Sequence, residues 1–137
     1  MYSSNDVLRL VLADGSAIVR AGIKRLLVDV PEMQVVEECN DAKSAIAAII
    51  EHSPDLVMMD FRLGTGTAVD VLRECRLAKP RPIGIVYTLE TDASTRAISY
   101  ASGADIFYDK SKDMGPLLTM LRKLAAALLQ SHELAAH

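Results

Sequence analysis

The chain has 137 residues, half of them hydrophobic, with a net charge of -3 and two cysteines. That length suits one domain with a proper core. The acidic balance argues against a protein that works mainly by gripping nucleic-acid phosphates. Cys39 and Cys75 lie far apart, outside any metal-ligand spacing, and His52, His132 and His137 are scattered, so neither a disulfide framework nor a zinc site is expected. Met1 to Asp6 is polar with no basic leader, and no run of about 20 apolar residues follows. The expectation is a cytoplasmic protein with no membrane partner.

Taken in chain order, the first apolar run, Val7 to Ala13, reads as a strand. Ser16 can cap a helix whose inner face is Ile18, Ile23, Leu26 and Leu27, closed by Pro31. Met33 to Glu38 is a less apolar strand, fit for a sheet edge. Asp41 can cap a second helix with Ala45, Ile46, Ile49 and Ile50 inward. Asp55 to Met59 is the most apolar strand, suited to the sheet centre. Gly64 and Gly66 mark a loop, and Val69, Leu72 and Cys75 or Arg76 follow at helical spacing.

Lys79 to Pro82 is a connection, and Ile83 to Tyr87 the fourth strand. Thr91 or Asp92 caps a helix that stops before Gly103. Asp105 to Tyr108 is the fifth strand, and a last helix runs from near Asp113 to about Gln130. Residues 1–6 are expected to be flexible, 7–130 to form the domain, and 131–137 to fray. Strict strand–helix alternation predicts an α/β fold: a doubly wound five-stranded parallel sheet in the flavodoxin-like order 2-1-3-4-5, with helices on both faces.

In such sheets ligands sit beyond the carboxyl ends of the strands. There the sequence places Asp14, Asp60, Thr88 and Lys110 on four strands that would be neighbours. Two carboxylates, a hydroxyl and an ammonium around one point suit phosphoryl chemistry on a carboxylate nucleophile. Any one of these residues could merely end a strand where the chain re-enters water; four together point to a site.

These stretches carry a family resemblance. Leu8 to Asp14 with Val19 to Gly22, Asp55 to Leu63, Ile85 to Thr88 and Ser102 to Lys110 resemble the receiver domains of two-component response regulators. The resemblance implies that Asp60 is the phosphoacceptor and that Thr88 and Lys110 contact the phosphoryl group. It implies Mg²⁺ held by Asp14, Asp60 and the backbone carbonyl of Arg62, and a switch formed by Thr88 and Phe107, where an ordinary core aromatic is the other reading of Phe107. Arg62, Leu89 and Glu90 fall at positions that tune phosphoryl lifetime. Arg62 and Glu90 either pair across the pocket mouth or stay separately solvated. The partner implied is a histidine kinase or phosphotransfer protein.

Three departures stand out. Gly15 stands where receivers carry a second acid, which predicts weak Mg²⁺ binding. Leu89 replaces a usually small residue and is expected to narrow the path to Asp60, and Gly64 replaces a frequent proline. A pseudo-receiver that binds partners without Mg²⁺-dependent phosphorylation is the alternative. A haloacid-dehalogenase-type phosphatase is disfavoured, because Phe61-Arg62 follows Asp60 where that class needs a second acid, and no dinucleotide or Walker-type loop is present. The last helix carries Leu117, Leu121, Leu124 and Leu128 on one flank and Leu118, Ala125 and Leu129 on the other, a surplus that predicts a homodimer rather than direct nucleic-acid binding.

Overall fold

The computed structural model describes residues 7–136, with side chains to residue 131. The elements run β1 (Leu8–Ala13), α1 (Ala17–Leu27), β2 (Met33–Cys39), α2 (Ala42–His52), β3 (Leu56–Met59), β4 (Arg62–Leu63), β5 (Gly66–Thr67), α3 (Ala68–Leu77), β6 (Ile83–Thr88), α4 (Ala93–Ala101), β7 (Ile106–Asp109) and α5 (Met114–Ala136). Five strands pair in parallel in the order β2-β1-β3-β6-β7. This is the expected 2-1-3-4-5 order. The stretch expected to be a bare glycine loop instead folds as the antiparallel ribbon β4–β5. Gly64 turns that ribbon at φ 68, where a Cβ would also come within 2.9 Å of Asp41 Cβ, so glycine is required there.

Alternation along the strands builds two cores. Val11, Ala13, Val57, Met59, Val86 and Phe107 face α2 and α3. Leu8, Leu10, Leu12, Leu56, Met58, Ile85 and Tyr87 face α1 and α5. The all-buried strand β3 is central, and the half-buried β2 is an edge, as its composition predicts. Between Leu10 and Val11 the register slips, so that Val11 lies opposite Glu37. The bulge leaves both Val36 and Glu37 near α2.

Ser16, Asp41 and Asp92 cap α1, α2 and α4, accepting from Val19, Ser44 and Thr95 backbone N–H groups. Thr67 and Asp70 close a full capping box on α3, which the loop reading of this region missed.

Several expected inward faces are corrected. Ile18 is 86% exposed, and Val19 packs in its place, one turn before Ile23. Ile50 is also exposed, because Ala42, Ala45, Ala48 and Ile49 already form the buried stripe of α2. On α5 the buried positions are Leu117, Leu121, Ala125 and Leu129, flanked by partly buried Leu118, Leu124 and Leu128. The surplus leucines thus lie on both sides of one wide seam rather than on two separate flanks. The helix runs on past the expected end near Gln130 to Ala136; no Gly or Pro interrupts that stretch. The flexibility expected of residues 1–6 and the fraying expected at His137 lie outside the described residues. Among the described residues, no helix is long and apolar enough to cross a membrane.

Candidate functional site

Parallel pairing carries the four polar strand ends to one side of the sheet. The Asp60 N–H donates to Ala13 O at 2.9 Å, and the Lys110 N–H donates to Thr88 O at 2.8 Å. These ladder bonds bring the ends of β1, β3, β6 and β7 side by side. Lys110 Nζ then donates to Asp14 Oδ2 at 2.7 Å and to Asp60 Oδ2 at 3.1 Å, standing between the two carboxylates. Lys110 and Asp14 side chains are 11% and 5% exposed, whereas Asp60 keeps 21%. Asp60 is therefore the more solvent-accessible of the two carboxylates.

The remaining carboxylate oxygens are held by backbone. Asp14 Oδ1 accepts from the Ser16 N–H at 2.9 Å, and Asp60 Oδ1 from the Phe61 N–H at 2.7 Å. Burial works against the Lys110 ammonium, but hydrogen bonds to Asp14 and Asp60 outweigh it, and its pKa lies above the ordinary lysine value. Lys110 Nζ also lies 5.5 Å from the Tyr87 ring centroid.

Thr88 is fully buried, and its Oγ1 accepts from the Glu90 N–H at 3.1 Å, leaving its own O–H as a donor. Phe107 is buried under the Arg96 guanidinium, 4.6 Å from the ring centroid, with the Tyr100 ring 6.2 Å away. Arg62 Nε pairs with Glu90 Oε1 at 2.9 Å, so these two residues are joined rather than separately solvated. Both are exposed, which makes the pair worth at most about 1 kcal/mol. Leu89 is 67% exposed and does not seal Asp60 from water.

Gly15 supplies no carboxylate, so among the described residues the carboxylates the pocket offers a cation are those of Asp14 and Asp60. Each carboxylate retains lone pairs beyond its present hydrogen bonds. Mg²⁺ is often held by only one or two carboxylates, with water filling its octahedron. The donor set fits the ion in that sparse manner. The one cluster of three metal-ligand side chains among the described residues, Glu37, Glu51 and His52, lies at the other end of α2 from its Asp41 cap.

The sequence reading missed Arg20. Its guanidinium Nη1 donates to the Asp14 carbonyl oxygen. Cys39 and Cys75 are free and buried, and burial pushes their thiols up to about 11 and about 12.

The sheet order and the alternation of strands with helices make this a doubly wound, flavodoxin-like α/β domain, with the Asp14–Lys110–Asp60 bridge beyond its strand ends. The family model for the response regulator receiver domain matches residues 10–122, and the chain belongs to that family. It is similar to the transcriptional regulatory protein DegU of Brevibacillus brevis, 24% identical over 98% of this chain and 57% of that protein. It also resembles a protein-glutamate methylesterase/protein-glutamine glutaminase of Haloarcula marismortui, 30% identical over 77% of this chain and 28% of that protein. The signal receiver domain of a NarL response regulator from Mycobacterium tuberculosis shares the fold, with a TM-score of 0.80 at 21% identity over 88% of this chain and 98% of that one. The chain thus spans less than two thirds of the length of these two curated relatives.

Proposed function

We propose that this chain accepts a phosphoryl group on Asp60 from a histidine kinase or phosphotransfer protein and passes the signal on by switching an interaction surface. The observation that carries the reading is the Lys110 ammonium seated between the carboxylates of Asp14 and Asp60 at adjoining strand ends. An Asp60 carboxylate oxygen attacks the phosphorus of a phosphohistidine; the O–P bond forms as the P–N bond breaks, and the imidazole nitrogen takes up a proton. Lys110 meets one phosphoryl oxygen and the Thr88 hydroxyl donates to another. Asp14, Asp60 and the Arg62 carbonyl would hold Mg²⁺, weakly because of Gly15. The ion would neutralise phosphoryl charge.

Thr88 and Phe107 form the switch in this reading, and α4, β7 and α5 the surface it moves. Arg62, Leu89 and Glu90 set how long the phosphoryl group lasts. The chain acts in the cytoplasm as an acceptor, not as an enzyme in its own right, pairs as a homodimer and makes no direct nucleic-acid contact. Gly15 supports a second reading, a pseudo-receiver that keeps the surface without productive Mg²⁺-dependent phosphorylation.

The test is transfer from a phosphorylated histidine kinase to wild type and to Asp60→Asn. Label on wild type and none on the variant is expected. Undiminished label on Asp60→Asn sinks the assignment, and none on either protein favours the pseudo-receiver.

A further inference from the structure

We infer that Arg20 is a positioning residue for the pocket: by holding the Asp14 carbonyl oxygen, it fixes the Asp14 carboxylate against Lys110. Helical side chains lean back toward the N-terminus of their helix. From the first turns of α1, Arg20 therefore reaches the end of β1. Its Nη1 donates to the Asp14 carbonyl and its Nε to Glu38 Oε1 at 3.1 Å. Glu38 is held in turn by Lys24 Nζ at 2.7 Å. The Lys24 hydrogen bond, with help from Arg20 and against slight burial, keeps the Glu38 carboxyl below its usual range, so it stays an anion at neutral pH. The Arg20 side chain is 17% exposed, well sheltered for a guanidinium.

This restraint falls where the chain is slackest. The anchored carbonyl belongs to the Asp14–Gly15 peptide, and Gly15 has no side chain to limit its rotation. A Cβ there would meet nothing closer than Asn40 O at 3.8 Å. On the other side of the residue, the Asp14 N–H donates to Cys39 O at 2.9 Å. Arg20 completes the grip, and the Ser16 N–H on Asp14 Oδ1 then sets the carboxylate. A lysine does not reproduce this, because its donors share one nitrogen, whereas the Asp14 carbonyl and Glu38 are met by two different guanidinium nitrogens, Nη1 and Nε.

The inference rests on the pocket described above but is read without phosphoryl transfer. In the full chain, amide hydrogen exchange at Ser16 reports the Asp14 carboxylate directly. Arg20→Ala should raise that exchange at least about 10-fold, as expected for losing a hydrogen bond from a charged donor, while Leu12 and Val57 amides stay unchanged. Mg²⁺ affinity should fall about 10-fold alongside. Arg20→Lys should not restore either, whereas Glu38→Gln, which keeps an acceptor for Nε, should stay near wild type. If Arg20→Ala loosens the core amides as well, Glu38→Ala serves in its place, with a smaller rise at Ser16 expected. Ser16 exchange unchanged in Arg20→Ala, or in Glu38→Ala where the first variant unfolds, overturns the inference. A failed Asp60 assignment appears separately, as label retained on Asp60→Asn.

Discussion

Replacing Gly15 by Asp adds a third carboxylate to a pocket that now holds two carboxylates and one ammonium. The backbone tolerates the change: Gly15 is not among the positive-φ glycines, and its new Cβ would sit 3.8 Å from the nearest atom, an ordinary contact. The folding cost should therefore stay within about 0.5 kcal/mol, typical of an open surface position. A ligand lost from around a metal costs at least about 10-fold in affinity, so restoring one should tighten Mg²⁺ binding at least about 10-fold, or about 1.4 kcal/mol. Calorimetric titration of both proteins at matched ionic strength measures this. Thermal unfolding gives a linked check, since saturating Mg²⁺ should raise the Tm of the variant by more than that of wild type. Equal dissociation constants for two folded proteins would refute the reasoning, because position 15 would then not limit Mg²⁺ affinity.

Lys110→Met should cost about 3 kcal/mol by leaving two carboxylates face to face, and denaturant midpoints against pH should separate the proteins. Lys110 has its pKa raised in the folded state, so its contribution is complete below the unfolded value near about 10.4 and fades as pH climbs through the higher folded value. The Lys110 contribution to wild type should therefore fade in strong alkali, and Lys110→Met should lack that alkaline loss; parallel profiles would show that the bridge is not formed in solution. Leu89→Ala should speed labelling by small donors such as acetyl phosphate, and an unchanged rate would mean that the exposed Leu89 leaves the approach to Asp60 alone. Wild type should sediment as a dimer at micromolar concentration and Met120→Glu, in the apolar groove with Ile106, Pro116 and Leu124, as a monomer; a strictly monomeric wild type ends that idea for the unphosphorylated state. Leu129, fully buried, is no probe of it.

The fold was legible because the periods are clean. Leu56–Met59 is apolar without a break, which suits a central strand; Ser16, Asp41 and the Thr91–Asp92 pair signal helix starts. What escaped was decided by tertiary contact. Ile18 sits at a helical spacing from Ile23 and Leu26 that Val19 satisfies better, and only the direction of α1 over the sheet selects between them. The β4–β5 ribbon depends on Gly64 turning at positive φ against Asp41, a contact between residues far apart in sequence. In the pocket, strand ends alone located Asp14, Asp60, Thr88 and Lys110. Arg20 stayed hidden because it acts through a main-chain carbonyl, and no residue pattern records where a carbonyl points.

The double bridge of Lys110 also carries a consequence for how the pocket works. With Asp60 unmodified, one ammonium serves two carboxylates and leaves a single net negative charge. A phosphoryl group on Asp60 would add about two negative charges in place of one, and its oxygens would compete with Asp14 for the same ammonium. Lys110 cannot lean fully toward both. As it turns to the phosphoryl group, Asp14 loses its cation and becomes a better ligand for Mg²⁺. Phosphorylation and Mg²⁺ binding should then strengthen each other by the same factor in both directions, as linkage requires. On the proposed reading, a site with one fixed acid beside Asp60 would rely on that coupling more than a site with two, since Gly15 would leave its metal weakly held until a phosphoryl group arrives. Beryllofluoride at Asp60 should accordingly tighten Mg²⁺ more in wild type than in Gly15→Asp, where the added carboxylate already attracts the ion.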